Sequence, residues 1–198
     1  MSRTQKALTL LVVLIISGLA AAQTAAPAPT GVKAEITQQL QALEKQAVSL
    51  AEAIPAEKYS WRPAPGVRSI GEVFLHIAGG NYLFFGALGV KPPAGLDMDK
   101  LETSTTDKAK IIEILKQSFD ASRQQLSATT DADMDKMAKL FGRERTTRAL
   151  LVQDAVHLSE HIGQSIAYAR SVGVTPPWTA AREAAQKESQ RKSSEKPK

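Results

Sequence analysis

Ile36, Leu40, Leu43, Ala47, Leu50 and Ile54 follow one another at intervals of four, three, four, three and four residues. An interval near 3.6 places all six side chains on one stripe of an α-helix, where a strand would scatter them over both faces. The seam predicts a helix of about 22 residues, stopped by Pro55. Its opposite face is rich in Gln and Glu and belongs in solvent. No segment alternates apolar and polar residues over the length of a strand.

Three further helical patterns follow. Ser69-Ile-Gly-Glu72 has the spacing of a capping box and opens a helix whose buried side carries Ile70, Val73, Phe74, Ile77, Phe84, Phe85 and Leu88. Gly79-Gly80 in its middle costs about 1 kcal/mol per residue relative to alanine, so the pair marks close approach by another backbone or side chain. Gly89–Thr105, with Pro92-Pro93 and Gly95, is longer than most links between adjacent antiparallel helices and reads as a crossover running the length of the bundle. Thr106-Asp107 starts a third helix, with Ile111, Ile112, Leu115, Phe119, Ser122 and Leu126 inward. Thr129–Arg145 is too short for another bundle helix and reads as a helical turn followed by an extended piece. Thr146 caps the last helix, which runs through Leu150, Leu151, Leu158, Ile162, Ile166 and Ala169 to a glycine stop at Gly173. Four amphipathic helices with long connections predict an all-α chain: a four-helix bundle over residues 32–178 with a long crossover connection.

The formal net charge of +5 belongs to the two ends of the 198-residue chain. Residues 1–22 carry Arg3 and Lys6 and no acid, residues 179–198 carry more bases than acids, and the remainder is balanced. The folded part therefore offers no case for nucleic-acid binding. Arg3 and Lys6, the apolar stretch Ala7–Leu19 and Ala20-Ala21-Ala22 occur in the order of a secretory signal peptide cleaved before Gln23. The apolar run is shorter than the roughly 20 residues a spanning helix needs. The expected location is thus a periplasm or beyond, with no stable membrane anchor after cleavage. Residues 23–31 read as a flexible linker and 179–198 as a disordered basic tail open to transient helix. The absence of cysteine removes lipoprotein attachment, disulfides and a thiol nucleophile.

The chain has three histidines, and two of them, His157 and His161, lie four residues apart in the last helical pattern. That spacing stacks two imidazoles one turn apart on one face, where two ring nitrogens can converge on a metal ion. His76 lies beside the apolar stripe of the second helix. Three neutral imidazoles leave an open position for water and lower its pKa toward about 7. The same residues also suit hydrogen-bonded core histidines, and the spacing alone leaves both readings open. Asp154 and Glu160 are the acids nearest the pair and candidates for a general base; Asp154, three residues before His157, is placed to orient its imidazole. Gln164, one turn past His161, is placed to bond a metal-bound water or a ligand. The order is not the His-Glu-x-x-His of metallopeptidases. Trp61, Arg62 and Trp178 read as packing residues at the bundle ends. The sequence has no nucleophile–base triad and no phosphate loop.

Two separated motifs resemble the DinB family, the DinB/YfiT-like helical bundles. The first is Tyr59-Ser-Trp-Arg-Pro-Ala-Pro-Gly66 with Ser69-Ile-Gly-Glu72 and His76-Ile-Ala; the second is His157-Leu-Ser-Glu-His161-Ile-Gly-Gln164, continuing through Tyr168-Ala-Arg170 to Pro177-Trp178. The resemblance covers about Val32 to Trp178. It implies a metal held by His76, His157 and His161. Arg68 departs from the pattern, since members commonly carry an aromatic residue just before the serine. Three nitrogen ligands suit Zn²⁺, while ligand type alone leaves Ni²⁺, Fe²⁺ and Mn²⁺ open.

Two functions are consistent with these residues. One is an exported metal-dependent enzyme, of transferase or hydrolase type, acting on a small molecule. The resemblance also implies thiol-dependent chemistry in some relatives, which export disfavours because small thiols stay in the reducing cytosol. The other is a non-catalytic metal-binding or ligand-binding bundle. The family's habit of pairing implies a homodimer.

Overall fold

The computed structural model describes residues 30–194. The expected signal peptide and most of the expected linker lie outside them. Four long helices form the body: α1 Val32–Ala53, α2 Ile70–Gly86, α3 Lys108–Ala128 and α4 Thr147–Ser171. The caps fall where the sequence places them. Ser69 accepts from the Glu72 amide while the Glu72 carboxylate accepts from the Ser69 amide, and Asp107 and Thr146 cap α3 and α4.

The predicted seams face one another. Leu43, Ala47 and Leu50 of α1, with Ile54 at its C-cap, meet Ile70, Phe74 and Ile77 of α2, Ile111 and Leu115 of α3, and Leu150, Leu158 and Ile162 of α4 in a single core. A fully buried side chain of this size contributes about 1.5–3 kcal/mol, so this layer, and no polar site, holds the bundle together. Both α1 and α2 pack on α3 and α4, which sets α1 and α2 across the bundle from each other.

Helix direction explains the long link. Gly71 and Ile111 meet at the start of α2 and α3, and Asn81 meets Ser118 farther along both. The two helices are therefore parallel. The chain leaving α2 must return along the whole bundle before α3 begins, and Met98–Thr103 forms a 3₁₀ turn on that return. The front loop is pinned at several points: Tyr59 Oη donates to Ala51 O at 2.6 Å, Gly71 N donates to Tyr59 O at 2.9 Å, and Ile70 N donates to Trp61 O at 3.0 Å. Lys108 Nζ donates to Glu52 O and Ile54 O, placing a cation on the last carbonyls of α1.

One region bears out the sequence reading and adds a strand pairing to it, and a second departs from it. The segment after α3 is a 3₁₀ turn at Ala132–Asp135 followed by a hairpin, β1 Met137–Leu140 paired antiparallel with β2 Arg143–Thr146. Four-residue strands of mostly polar residues are too short to show alternation. The hairpin turns on Phe141 (φ 50°) and Gly142 (φ 75°), the two positive φ values a two-residue turn requires, without an Asn-Gly signature. The expected disordered tail is instead a fifth helix, α5 Pro177–Ser194. Its Ala, Arg, Gln, Lys and Glu are strong helix formers and Pro177 suits a first helical position. Beyond Thr179 every described residue is exposed. Among the described residues no helix is long and apolar enough to cross a membrane.

Candidate metal centre

α2 and α4 lie side by side and bring the three histidines together. The rings of His157 and His161 stand 4.6 Å apart by centroids, one turn from each other on α4. His76 reaches across from α2, 5.1 Å from the first and 4.3 Å from the second. One ring nitrogen from each lies within 4.8 Å of the others. His76 Nε2 and His157 Nε2 are 3.2 Å apart. Nitrogens bound at about 2.0–2.1 Å to a tetrahedral zinc ion stand about 3.3 Å from one another, so this spacing fits such an ion.

The partners of the other ring nitrogens favour the same reading. His76 Nδ1 lies 2.6 Å from Glu102 Oε1, and His161 Nδ1 lies 2.9 Å from Gln164 Oε1. Both oxygens are acceptors, so each Nδ1 carries its proton and each Nε2 presents a lone pair. Burial lowers the pKa of His76 against the opposing bond to Glu102. Burial, with His161, His76 and Arg68 nearby, lowers that of His157 to about 4. Both are neutral near pH 7, the state a metal ligand requires.

α2 gives way to admit His157. A Cβ on Gly80 would meet His157 Cε1 at 2.2 Å, a distance no alanine tolerates. The close approach expected of the Gly-Gly pair falls on Gly80. Gly79 has only an ordinary contact with Leu101.

Around the histidines the structure adds one residue the sequence did not single out and gives partners to several that it did. Glu102, on the crossover, binds Arg68 through two bonds, Nε to Oε2 at 2.6 Å and Nη2 to Oε1 at 3.0 Å, as well as His76. Burial works to raise its pKa, but Arg68 and His76 hold it below the usual carboxylate value. Arg68, where the family pattern has an aromatic residue, thus becomes the clamp for the carboxylate behind His76. Nothing in local spacing ties Glu102 to a histidine 26 residues earlier; only the path of the crossover does. On the other side Gln164 Nε2 donates to Tyr168 Oη at 2.9 Å, and the Tyr168 ring meets Trp61 edge-on at 5.4 Å. Trp61 thereby braces the tyrosine that steadies Gln164, the residue that holds His161. Arg62 donates to Glu72 and Val67 O and steadies the cap of α2.

Of the three candidates for catalysis only Gln164 touches a histidine. Gln164 is committed to His161 and Tyr168 instead of facing an open position. Glu160 is exposed, on a shallow α1–α4 depression beside Val156. Asp154 does not orient His157: its oxygens and His157 Nδ1 have no hydrogen-bond partner among the described residues. Three residues back along a helix is 60° away in azimuth, which turns Asp154 toward α1 and α3 while His157 faces α2.

Comparison with known proteins agrees with this architecture. Residues 39–165 match the family model of the DinB superfamily. YjoA of Bacillus subtilis strain 168, an uncharacterised protein, is 31% identical over 127 residues, which is 64% of this chain and 81% of YjoA. A DinB-like protein from Bacillus cereus superposes with a TM-score of 0.64 at 22% identity, covering 72% of this chain and 93% of that one. YfiT from Bacillus subtilis, described as a probable metal-dependent hydrolase with an unusual four-helix bundle topology, superposes at 0.57 with 17% identity over 72% of this chain and 89% of YfiT. With the two motifs, the parallel α2–α3 pair and its crossover, and the matched residues in agreement, the chain belongs to the DinB superfamily.

Proposed function

We propose that this chain is an exported metal-dependent enzyme that holds one divalent ion, Zn²⁺ by preference, through His76, His157 and His161 and hydrolyses a small molecule. The observation that carries the reading is the cluster itself: three imidazole nitrogens within 4.8 Å of one another, two of them oriented from behind by Glu102 and Gln164. A divalent ion there supplies Lewis acidity and a water of lowered pKa. The description of YfiT as a probable metal-dependent hydrolase supports hydrolysis over group transfer. The chain's own residues set tautomer and ring direction, and the Arg68–Glu102 pair keeps a carboxylate on His76 without leaving it free to bind the ion. Export rests on residues 1–22 alone, and intact-mass measurement of the exported protein, expected to begin near Gln23, tests it. Pairing of two copies finds support in Val152 and Val156, half-exposed on α4 beside Ile36; sedimentation at tens of micromolar tests it.

A second reading, metal holding without catalysis, is favoured by one observation. Asp154, Glu160 and Gln164 are all turned or tied away, and Glu102 is engaged by Arg68 and His76. One experiment separates the readings. The mature protein is analysed for bound metal, then assayed against ester, amide and phosphoester panels beside a protein with all three histidines replaced. Stoichiometric metal with hydrolysis that the variant lacks supports the enzyme. Metal without turnover leaves the binding module, and no metal in the wild type removes both.

A further inference from the structure

Opposite the histidines, α1 and α3 part to leave a cleft of about 380 Å³, floored by α2 and α4. That is within the usual range for small-molecule sites. Leu40, Phe85 and Leu126 form its walls, and Asn81 and Asp154 lie at its floor. Asp154 is 1% exposed and Asn81 is 1% exposed. Five buried side-chain polar atoms lack a hydrogen-bond partner among the described residues, and three of them are Asn81 Oδ1 and both Asp154 oxygens.

The buried donors beside the floor are already used. Asn81 Nδ2 donates to Ser118 Oγ at 3.0 Å, Ser118 Oγ to Leu115 O at 2.7 Å, and Ser122 Oγ to Ser118 O at 3.0 Å. The cation at the mouth, Arg123, is held by Glu44 and Asp120. With Asp154 ionised the floor thus offers three acceptor oxygens, and the buried donors beside them are engaged elsewhere, leaving only the exposed amides of Gln41 and Gln124 at the mouth. Burying acceptors unpaired is costly, and a carboxylate most of all. The complementary group is one that brings several N–H donors and a positive charge on an apolar body.

We propose that this cleft is a second binding site, separate from the histidines, which takes a small primary amine. Its ammonium group donates to Asp154 and Asn81, and its hydrocarbon part lies along Leu40, Phe85 and Leu126. An alcohol of the same shape brings one donor and no charge, and binds correspondingly worse.

The test is calorimetric titration of cyclohexylmethylamine into the chelator-treated full chain near pH 8, where the amine is protonated, with cyclohexylmethanol as the neutral probe. One equivalent of amine is expected to bind, the alcohol about tenfold more weakly or worse, and Asp154→Asn to lose about tenfold or more in amine affinity, the scale of a charged hydrogen bond. Ser122→Leu, which fills the cleft from α3, is expected to abolish binding and keeps the test independent of the folding of the Asp154 variant. His157→Ala should bind the amine as the wild type does, whether or not the histidines hold metal. No saturable binding, equal binding in Asp154→Asn, or loss of binding with His157→Ala alone would overturn the site.

Discussion

The imidazole of His157 lies against the bare backbone of Gly80, so close that a Cβ there would come within 2.7 Å of its Nδ1 and 2.2 Å of its Cε1. The ring cannot keep its place if α2 gains a methyl group. Gly80→Ala improves helix propensity by about 1 kcal/mol, which works against any loss of stability. The expected result is a split: metal affinity falls at least about tenfold, as for other changes that disturb ligand orientation, while the melting temperature in chelator changes little. Gly79→Ala, facing only Leu101 at 3.6 Å, leaves metal affinity unchanged. Competition with a chromophoric chelator reads both.

Glu102 should behave as a positioning residue for His76. Glu102→Ala removes the acceptor from His76 Nδ1 and frees Arg68, whose positive charge then opposes a cation nearby. Metal affinity is expected to fall about 10- to 100-fold. Glu102→Gln keeps an acceptor oxygen and should recover part of the loss. Equal affinity in all three proteins would mean that His76 is not a ligand oriented from the crossover.

The difference between His157 and Glu102 marks what was readable in the sequence. The pair His157–His161, the caps at Ser69, Asp107 and Thr146, and the apolar seams are all written at helical spacing, so local geometry alone recovers them. The Gly79-Gly80 pair announced a close approach but not which glycine received it. Glu102 and Arg68 are joined only because α2 and α3 are parallel and the returning chain passes the site. Asp154 was misdirected by its nearness to His157 along the chain; a 60° turn of the helix gives it to another cavity. Phe141 at positive φ hid the hairpin, because such turns are recognised by residues that adopt that conformation easily.

Acid should act on the histidines in two ways. The folded pKa of His157 is lowered from 6.5 to about 4 by burial and by His161, His76 and Arg68. The unfolded chain therefore takes up this proton first, and stability is lost as pH falls from about 6.5 toward 4. In chelator, urea melts at pH 7.5 and near pH 5 should show a larger loss for the wild type than for His157→Gln, which removes the titrating group. With metal present the ion should leave over the same range, since each ligand must be neutral. A metal-loaded protein that keeps its ion and its melting temperature at pH 4.5 would count against the three-histidine site.

α5 packs weakly. Its described residues after Thr179 are exposed, and its ion pairs among the described residues, Glu188 with Arg191 and Lys192, are internal to the helix. Exposed pairs of that kind contribute about 0–1 kcal/mol. Truncation after Ala180 should leave metal content and the melting temperature within about two degrees of the full chain, and calorimetry checks it. Trp178, packed against the core, is retained in that variant.

Asp154 carries the opposite pH dependence to His157. Burial raises its carboxyl from 3.8 to about 7. The charged groups that line its cavity are Glu44 from α1 and Asp120 and Arg123 from α3, with Arg123 already engaged by both acids; α2 contributes only the neutral Asn81. The native state therefore holds a proton that the unfolded chain has released, and stability declines as pH rises from about 4 through 7. Asn at this position keeps the shape and cannot ionise. Asp154→Asn should match the wild type near pH 4 and exceed it at pH 8, with the gap opening between those values. Denaturant midpoints at pH 4, 6 and 8 measure the gap directly. A variant less stable than the wild type at pH 8 would mean that the carboxylate is paired with a donor in solution, and that the floor of the cleft is already occupied.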